Sequence, residues 1–358
     1  MEESPFAKIP VELTQCILAE ATRDSKLTHV LVSFVCRGWR GDVQRVKKPA
    51  SDHSLAAEAA LRGWFAVLKW LREQQDWGGT TCNSAAYNGH LEVLKWARAN
   101  GCQWDKFVCV EAARGGHLEV LKWLRENQCP WDTENIYFEA AESGHLDILT
   151  WMAEEGYTWK DGIISVAAKG NHLDVVKWLH DKGCPLNEPV CALAAKYGNL
   201  DILTWARENG CPWNESAVCS LAAKFGHLEV LKWLRMKGCK WDVEICSEAA
   251  AEGQWVVVQW AIENGCPCDY IVCFEAVKQR RFDMLKWARE HNCPWDETEF
   301  ARAVANGDLE FMTWMKENGC PYKNTRVCSE AAKWGQLESL KWLREKDCPW
   351  DDTVYLEA

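Results

Sequence analysis

Cysteine is the residue type in this sequence best suited to chemistry, because its thiolate binds metal ions and reacts with oxidants. The chain has 19 cysteines in 358 residues, and most of them fall at two recurring positions. One set directly follows a glycine: Cys102, Cys184, Cys211, Cys239, Cys266 and Cys320. The other set stands three residues before an alanine: Cys109, Cys191, Cys219, Cys246, Cys273 and Cys328.

The spacing of these cysteines argues against a zinc site. Zinc-binding segments usually contain Cys-x-x-Cys pairs, and this sequence has none. Cys266 and Cys268 are separated by a single rigid proline. We therefore expect small buried thiols, no metal site and no cofactor, with metal or redox binding as the alternative.

Histidine, which carries protons near neutral pH, recurs in the same way. Five of the 9 histidines follow or neighbour a glycine: His90, His117, His145, His172 and His227. Asn199, Gln254, Asp308 and Gln336 occupy the equivalent place elsewhere. Because asparagine and glutamine do not titrate, we predict helix capping or hydrogen bonding between repeats rather than catalysis. Phosphate-binding loops, His-Glu-x-x-His pairs and nucleophile elbows are absent, so we predict that the protein is not an enzyme.

Tryptophan shows that the chain is a tandem repeat. One series recurs every 26 to 28 residues: Trp70, Trp96, Trp123, Trp151, Trp178, Trp205, Trp233, Trp260, Trp287, Trp314 and Trp342. A second series follows it by seven or eight residues: Trp77, Trp104, Trp131, Trp159, Trp213, Trp241, Trp295 and Trp350. We predict that both series form a dry core between stacked repeats, with a carbohydrate- or base-stacking platform as the alternative.

Each repeat carries the signals of two helices. The first helix follows a capping Asp or Asn, as at Asp132, Asn214 and Asp296, and contains a pair of small residues. A glycine then separates it from a second helix with apolar residues at three-to-four spacing. Such a helix pair cannot bury its own apolar stripe, so the repeats must stack into a solenoid. The predicted fold class is all-α.

The run at residues 226–239, Gly-His-Leu-Glu-Val-Leu-Lys-Trp-Leu-Arg-Met-Lys-Gly-Cys, resembles the second helix of ankyrin repeats. The alanine pair fits the first ankyrin helix. The resemblance implies about eleven ankyrin-like repeats over residues 51–358, with a partial twelfth helix. The period of 27 rather than 33 residues implies short loops in place of the ankyrin β-hairpin fingers.

Residues 1–48 lack the repeat and resemble an F-box, through Ile9-Pro10-Val11-Glu12-Leu13 and a closing Val32-Ser33-Phe34-Val35-Cys36-Arg37-Gly38-Trp39. The resemblance implies a small helical domain that binds the Skp-type linker of a cullin–RING ubiquitin ligase. The residues it assigns to linker contact are Pro10, Leu13, Ile17, Leu18, Val35 and Trp39. The alternative is a helical cap that covers the first repeat.

Charge and hydropathy narrow the choice of partners. The formal net charge of −11 is unfavourable for binding a phosphate backbone, so we expect no nucleic-acid partner. No apolar run is long enough to cross a bilayer, and no secretory signal is visible, so we expect a monomer in the cytoplasm or nucleus without a membrane partner.

The side chains that differ between repeats are candidates for binding a target protein, with drift on unselected surface as the alternative. Most lie between the second tryptophan and the alanine pair, and two replace the usual Gly-His of one repeat. The candidates are Phe107, Asn135, Tyr137, Tyr270, Arg280, Arg281 and Arg326. We predict an adaptor that holds an unidentified target near a ubiquitin ligase; the alternative is a plain ankyrin-type scaffold.

Overall fold

The computed structural model describes residues 53–65, 68, 69, 72, 77 and 80–350, and every regular element in these residues is an α-helix. The chain divides into two compact units, Met1–Cys184 and Pro185–Ala358. In the described part of the first unit the helices are α1 (His53–Leu61), α2 (Thr81–Tyr87), α3 (Leu91–Ala99), α4 (Lys106–Arg114), α5 (Leu118–Glu126), α6 (Thr133–Glu142), α7 (Leu146–Glu154), α8 (Ile163–Lys169) and α9 (Leu173–Asp181).

The second unit repeats the same pattern. Its described helices are α10 (Glu188–Tyr197), α11 (Leu200–Glu208), α12 (Glu215–Lys224), α13 (Leu228–Met236), α14 (Val243–Ala251), α15 (Trp255–Glu263), α16 (Tyr270–Lys278), α17 (Phe282–Glu290), α18 (Glu297–Ala305), α19 (Leu309–Glu317), α20 (Thr325–Lys333) and α21 (Leu337–Glu345). Helix α1 and the even-numbered helices are first helices of repeats, and the odd-numbered helices from α3 onwards are second helices. Both units are therefore all-helical repeat solenoids, as the sequence predicts.

Capping side chains fix where most first helices begin. Asp132 accepts a hydrogen bond from the backbone N–H of Asn135, and Asn214 accepts one from Ala217. Asp296 forms a complete capping box with Glu299. These contacts satisfy amide groups that have no partner inside the helix, which confirms the predicted role of the Asp and Asn residues. Within residues 80–350 short loops connect the repeats and no strand is present, so the predicted absence of hairpin fingers is confirmed there.

First helices of successive repeats pack side by side within each unit, and small residues allow the close approach. The alanine pairs, such as Ala112–Ala113 and Ala222–Ala223, are completely buried. Second helices contribute aliphatic residues such as Leu121 and Leu231, which are also completely buried. Burial of this apolar surface is the main stabilising contribution to the stack, at about 25 cal/mol per Å².

The tryptophans lie at the edge of this core and not in its centre, so the predicted dry tryptophan spine is wrong. Every described member of the two series is only partly buried. The predicted contact between successive repeats is nevertheless present, because the second tryptophan of one repeat packs edge-to-face against the first tryptophan of the next. In Trp104–Trp123 the ring centroids are 5.7 Å apart, and in Trp241–Trp260 they are 5.3 Å apart. Indole is large, and in most repeats the centre of the core is filled by small, aliphatic and thiol side chains instead.

Candidate functional site

Polar side chains at the start of several second helices reach back to the preceding repeat. The Nε2 atom of His145 lies 2.9 Å from the carbonyl oxygen of Arg114, and that of His227 lies 2.8 Å from the carbonyl oxygen of Lys196. Both carbonyls belong to the last turn of a first helix, where the helix leaves acceptors unpaired. The predicted hydrogen bonding between repeats is therefore confirmed. The histidines do not cap their own helices, so the capping interpretation is wrong for them.

Two neighbouring repeats make this hydrogen bond from a different position. Arg281 and Asp308 replace the histidine there. In their place Gln279 Nε2 donates to the carbonyl of Ala250 at 2.8 Å, and Asn306 Nδ2 donates to the carbonyl of Val277 at 3.1 Å. Each donor lies two residues before the usual histidine. The stack therefore requires a donor near this carbonyl, but the donor can come from either end of the turn.

Arg280 and Arg281, which the sequence offers as partner-binding residues, are exposed but make contacts inside the chain. Arg280 Nη2 donates to the carbonyl of Asn306 in the next repeat at 3.1 Å. Arg281 forms an ion pair with Asp283 at 2.8 Å and lies 6.0 Å from the ring centroid of Trp255. Arg280 therefore contacts the following repeat and Arg281 the preceding one, and their role in binding a partner stays a prediction.

Tyr137 is not a surface residue, so its assignment to partner binding is wrong. Its side chain is 1 % exposed, and its hydroxyl donates to the carbonyl of Tyr157 at 3.0 Å. The ring packs against Trp159, and burial raises the pKa of the hydroxyl to about 12. Tyr137 occupies the position that holds a buried cysteine in most other repeats, and this equivalence is visible in the sequence once the repeats are aligned.

The remaining predicted residues lie on the surface but not together. Phe107 is 50 % exposed and Tyr270 is 47 % exposed. Asn135 and Arg326 are also exposed, and the Asn135 amide donates to Asp132 at 2.8 Å. These four residues lie on four different first helices, α4, α6, α16 and α20. Their role in binding stays a prediction.

The second unit carries an exposed aromatic cluster that the sequence reasoning missed. Tyr197 ends α10 and Phe225 follows α12, and the two rings are 42 % and 41 % exposed. The Lys196 ammonium lies 5.5 Å from the ring centroid of Tyr197 and 5.1 Å from that of Phe225, so it bridges the two repeats. We call Lys196, Tyr197 and Phe225 the turn patch. Aromatic side chains such as these are enriched at protein-binding surfaces.

A second lysine adds positive charge beside the turn patch. Lys224, the residue before Phe225, forms ion pairs with Glu248 at 2.8 Å and with Glu252 at 3.8 Å. The hydrogen bond to Glu248 raises the pKa of this lysine above its ordinary value. The position that holds Tyr197 and Phe225 carries Asn88, Ser143 and Trp334 in other repeats. This variation between repeats is the signal that could have located the patch from the sequence.

Most of the cysteines that the structure describes lie in pairs within single repeats. Fifteen free cysteines are described, and all of them are buried, which confirms the expected packing of thiols. Cys268 and Cys293 form a disulfide, contrary to the expectation that all of these cysteines are thiols. Within the described residues, no group of three or more His, Cys, Asp or Glu side chains is arranged to hold a metal ion.

The F-box residues predicted to contact the linker, from Pro10 to Trp39, lie outside the described residues. The same holds for Trp70 and for the partial twelfth helix after residue 350. Among the helices that are described, none is both long and apolar enough to span a membrane.

Comparison with known proteins agrees with this geometry. Residues 163–245 match the family model for ankyrin repeats in three copies, and residues 54–98 match the model for ankyrin repeats in many copies. These two segments are therefore similar to ankyrin repeats, and the helical stack observed in each unit is consistent with that similarity.

One solved structure similar to this chain is the crystal structure of the ankyrin repeat domain of human ASB11. The two are 21% identical in sequence, and the match covers 44% of this chain and 84% of that chain with a TM-score of 0.35. No curated protein matches the sequence.

Proposed function

We propose that this protein is an adaptor in which the ankyrin repeats bind a target protein through the turn patch and residues 1–48 bind the Skp-type linker of a cullin–RING ubiquitin ligase. Such an adaptor does no bond chemistry. It raises the concentration of the target near the ligase by holding both at once. The target-binding half is carried by one observation: two exposed aromatic rings in adjacent repeats share one lysine.

The surroundings of the turn patch support this role. Covering an exposed aromatic ring with a partner removes its apolar surface from water, which favours binding. Tyr and Phe also bury large areas at a small cost in side-chain entropy. The helices that carry both rings are held by completely buried residues, Val190, Ala195 and Ala223 among them. The patch is therefore held in place before a partner arrives, which lowers the cost of binding.

Target binding is tested by replacing the patch. The full chain with Tyr197→Ala and Phe225→Ala should lose about tenfold or more of the partner signal in quantitative affinity capture from the native cells. The matched control is Tyr87→Ala with Trp334→Ala, which removes two similarly exposed rings from other repeats that are not binding candidates. Equal capture by both double variants and the unaltered chain would exclude the turn patch as the target site.

The ligase half rests on the F-box resemblance of residues 1–48 and needs its own experiment. The tagged chain should retain a purified Skp-type linker, and Leu13→Asp with Trp39→Ala should abolish this retention. The turn-patch variant serves as the control and should retain the linker fully. If the unaltered chain does not bind the linker while deletion of residues 1–45 destabilises the repeats, the N-terminus acts as a cap of a plain scaffold.

A further inference from the structure

The cysteines at the two repeat positions face each other inside single repeats. The Sγ atom of Cys82 lies 2.7 Å from the Sγ atom of Cys102. Five more cysteine pairs with the same spacing of 20 residues occupy the equivalent positions, and their side chains interact with each other: Cys109–Cys129, Cys191–Cys211, Cys219–Cys239, Cys246–Cys266 and Cys328–Cys348. Each pair connects a first helix to the loop that ends the same repeat.

The geometry of these pairs fits a disulfide better than a metal ion. Two sulfurs that bind one metal ion in a tetrahedral site lie about 3.8 Å apart, whereas a disulfide bond measures about 2.05 Å. The sulfurs of Cys82 and Cys102 are nearer to the second value. Within the part of the chain that is described, a third or fourth ligand is not at hand to complete a tetrahedral site.

We propose that these six thiol pairs are sites of reversible oxidation, at which a peroxide converts each pair into a disulfide within its repeat. The loop thiolate attacks a peroxide oxygen, the O–O bond breaks, and a sulfenic acid and hydroxide form. The first-helix sulfur then attacks the sulfenic sulfur, the S–S bond forms, and the sulfenic hydroxyl leaves as water with the thiol proton. Two thiols thereby lose two electrons, and hydrogen peroxide is reduced to two water molecules.

The electrostatics of each pair assign these two roles. The hydrogen bond from Cys82 lowers the pKa of Cys102, and the same contact, with burial, raises the pKa of Cys82. The loop cysteines of the other five pairs show the same direction of pKa shift. Because the thiolate is the form that reacts with peroxide, the loop cysteine is oxidised first and the helix cysteine closes the bond.

Four repeats depart from the pairing and provide internal comparisons. Tyr137 and Tyr157 replace both members of one pair. Ile164 and Phe300 replace the helix cysteine opposite Cys184 and Cys320, which leaves these two loop thiols unpaired. In the fourth, Cys293 already forms a disulfide with Cys268, with a Cα–Cα distance of 5.5 Å, and Cys273 remains a free thiol. A loop cysteine of this fold is therefore able to adopt disulfide geometry.

Peptide mapping tests the proposal on the full chain. The protein is reduced, freed of reductant, treated with hydrogen peroxide, alkylated and digested without reduction. Disulfides of 20-residue spacing should appear in most of the six pairs, Cys184 and Cys320 should remain single, and the unfolding midpoint should rise by about 5 °C or more. A thiol reductant should reverse both changes. The proposal would be overturned if all six pairs were alkylated as Cys184 is. It would also be overturned if disulfides formed with no preference for the 20-residue spacing.

A gain-of-pair variant sharpens the same test. Ile164→Cys supplies the missing partner of Cys184 and should add a disulfide between the two positions after oxidation. Ile164→Val is the matched control, because it shortens the same buried side chain without adding a thiol. A Cys184 that remains single in Ile164→Cys, with the far-ultraviolet circular dichroism of the unaltered chain, would contradict the assigned geometry.

Discussion

The contact between the turn of one repeat and the start of the next second helix takes two forms in this molecule. In the first unit Gly116 lies in the turn after α4, and the ring of His145 from the next repeat covers it. In the second unit Arg280 occupies the glycine position and Asp308 the histidine position. We call these the regular joint and the altered joint. A Cβ atom on Gly116 would lie 2.5 Å from the His145 ring, while the Asp308 carboxylate turns away to cap α19.

The difference between the two joints explains why glycine is present at the regular joint. Both Gly116 and Arg280 adopt left-handed backbone, with φ of +78° and +57°. A left-handed residue with a side chain costs about 1 kcal/mol, so the dihedral angle alone does not demand glycine. The arginine is tolerated because no imidazole lies over it and because its guanidinium bonds to the Asn306 carbonyl. Glycine at the regular joint therefore makes room for the histidine of the neighbouring repeat.

The largest expected effect comes from filling the regular joint. Gly116→Ala should lower the free energy of unfolding by about 3 kcal/mol, because the new methyl group displaces the His145 ring and breaks its hydrogen bond. Gly101→Ala is the control, since Gly101 has φ of +86° but open space around its Cβ position. Its cost should be about 1 kcal/mol. Urea unfolding that gives equal losses for both variants would refute the steric account.

A buried carboxyl group on α18, in the repeat that contains Asp308, gives the second largest expected effect on stability. Glu299 is completely buried where most repeats carry Val or Ile, and burial raises its pKa to about 7. Because the folded chain binds the proton more tightly than the unfolded chain, stability is lost as pH rises from 4.5 to 7. Glu299→Val should therefore stabilise the protein by about 2 kcal/mol at pH 8.

The control for this prediction is the same pair of proteins at about pH 3, well below the unfolded pKa of 4.5, where the glutamate is protonated in both folded and unfolded chains. There the gain should vanish, and loss of the capping contact to Asp296 should leave the variant equal or slightly less stable. A stabilisation that is independent of pH would attribute the gain to packing and not to charge.

Removing the hydrogen-bond donor that replaces the histidine should have a smaller effect on stability. Gln279→Ala removes the amide that replaces the histidine bond and should cost about 1 kcal/mol. Gln279→Ala combined with Arg281→His restores the usual donor position and should recover most of that loss. Gln103→Ala, which changes an exposed glutamine in a loop of the first unit, is the control. If Arg281→His did not recover the lost stability, the distance between the altered repeats would differ from that between regular repeats.

The smallest expected effect is a dependence of folding stability on pH at a regular joint. Burial lowers the pKa of His117, whose ring bonds to the carbonyl of Tyr87. The unfolded chain therefore binds the proton more tightly, and stability falls as pH drops below the ordinary histidine value of 6.5. His117→Gln keeps a donor and should lose less stability than the unaltered chain between pH 7.5 and 5.5. Urea midpoints at the two pH values measure the difference, and identical slopes would contradict it.

Local signals predicted most of the architecture. Asp132, Asn214 and Asp296 begin helices as their capping chemistry requires, and the alanine pairs lie where first helices touch. The tryptophans were assigned to the interior because of their size and periodicity. Periodicity reports which face of a helix is apolar, but it does not report depth, and smaller side chains fill the centre.

The candidate site was harder to predict, because its contacts join residues of different repeats. Tyr137 differs between repeats like a surface residue, yet it fills a cysteine position in the core. Tyr197 and Phe225 become one cluster only when α10 and α12 stand side by side. The bond from Gln279 replaces the one that a histidine at position 281 would make, and only the path of the turn shows which side chain reaches the carbonyl.

The regular joint also bears on how such a chain can grow. Its glycine and its histidine belong to adjacent copies, so every inserted copy brings one half of the contact for each of its two neighbours. Gene duplication can thus lengthen the array without a change in the contacts between repeats. A side chain at the glycine position of one copy, by contrast, leaves no room for the histidine of the next copy, and where Arg280 replaces the glycine Asp308 replaces the histidine.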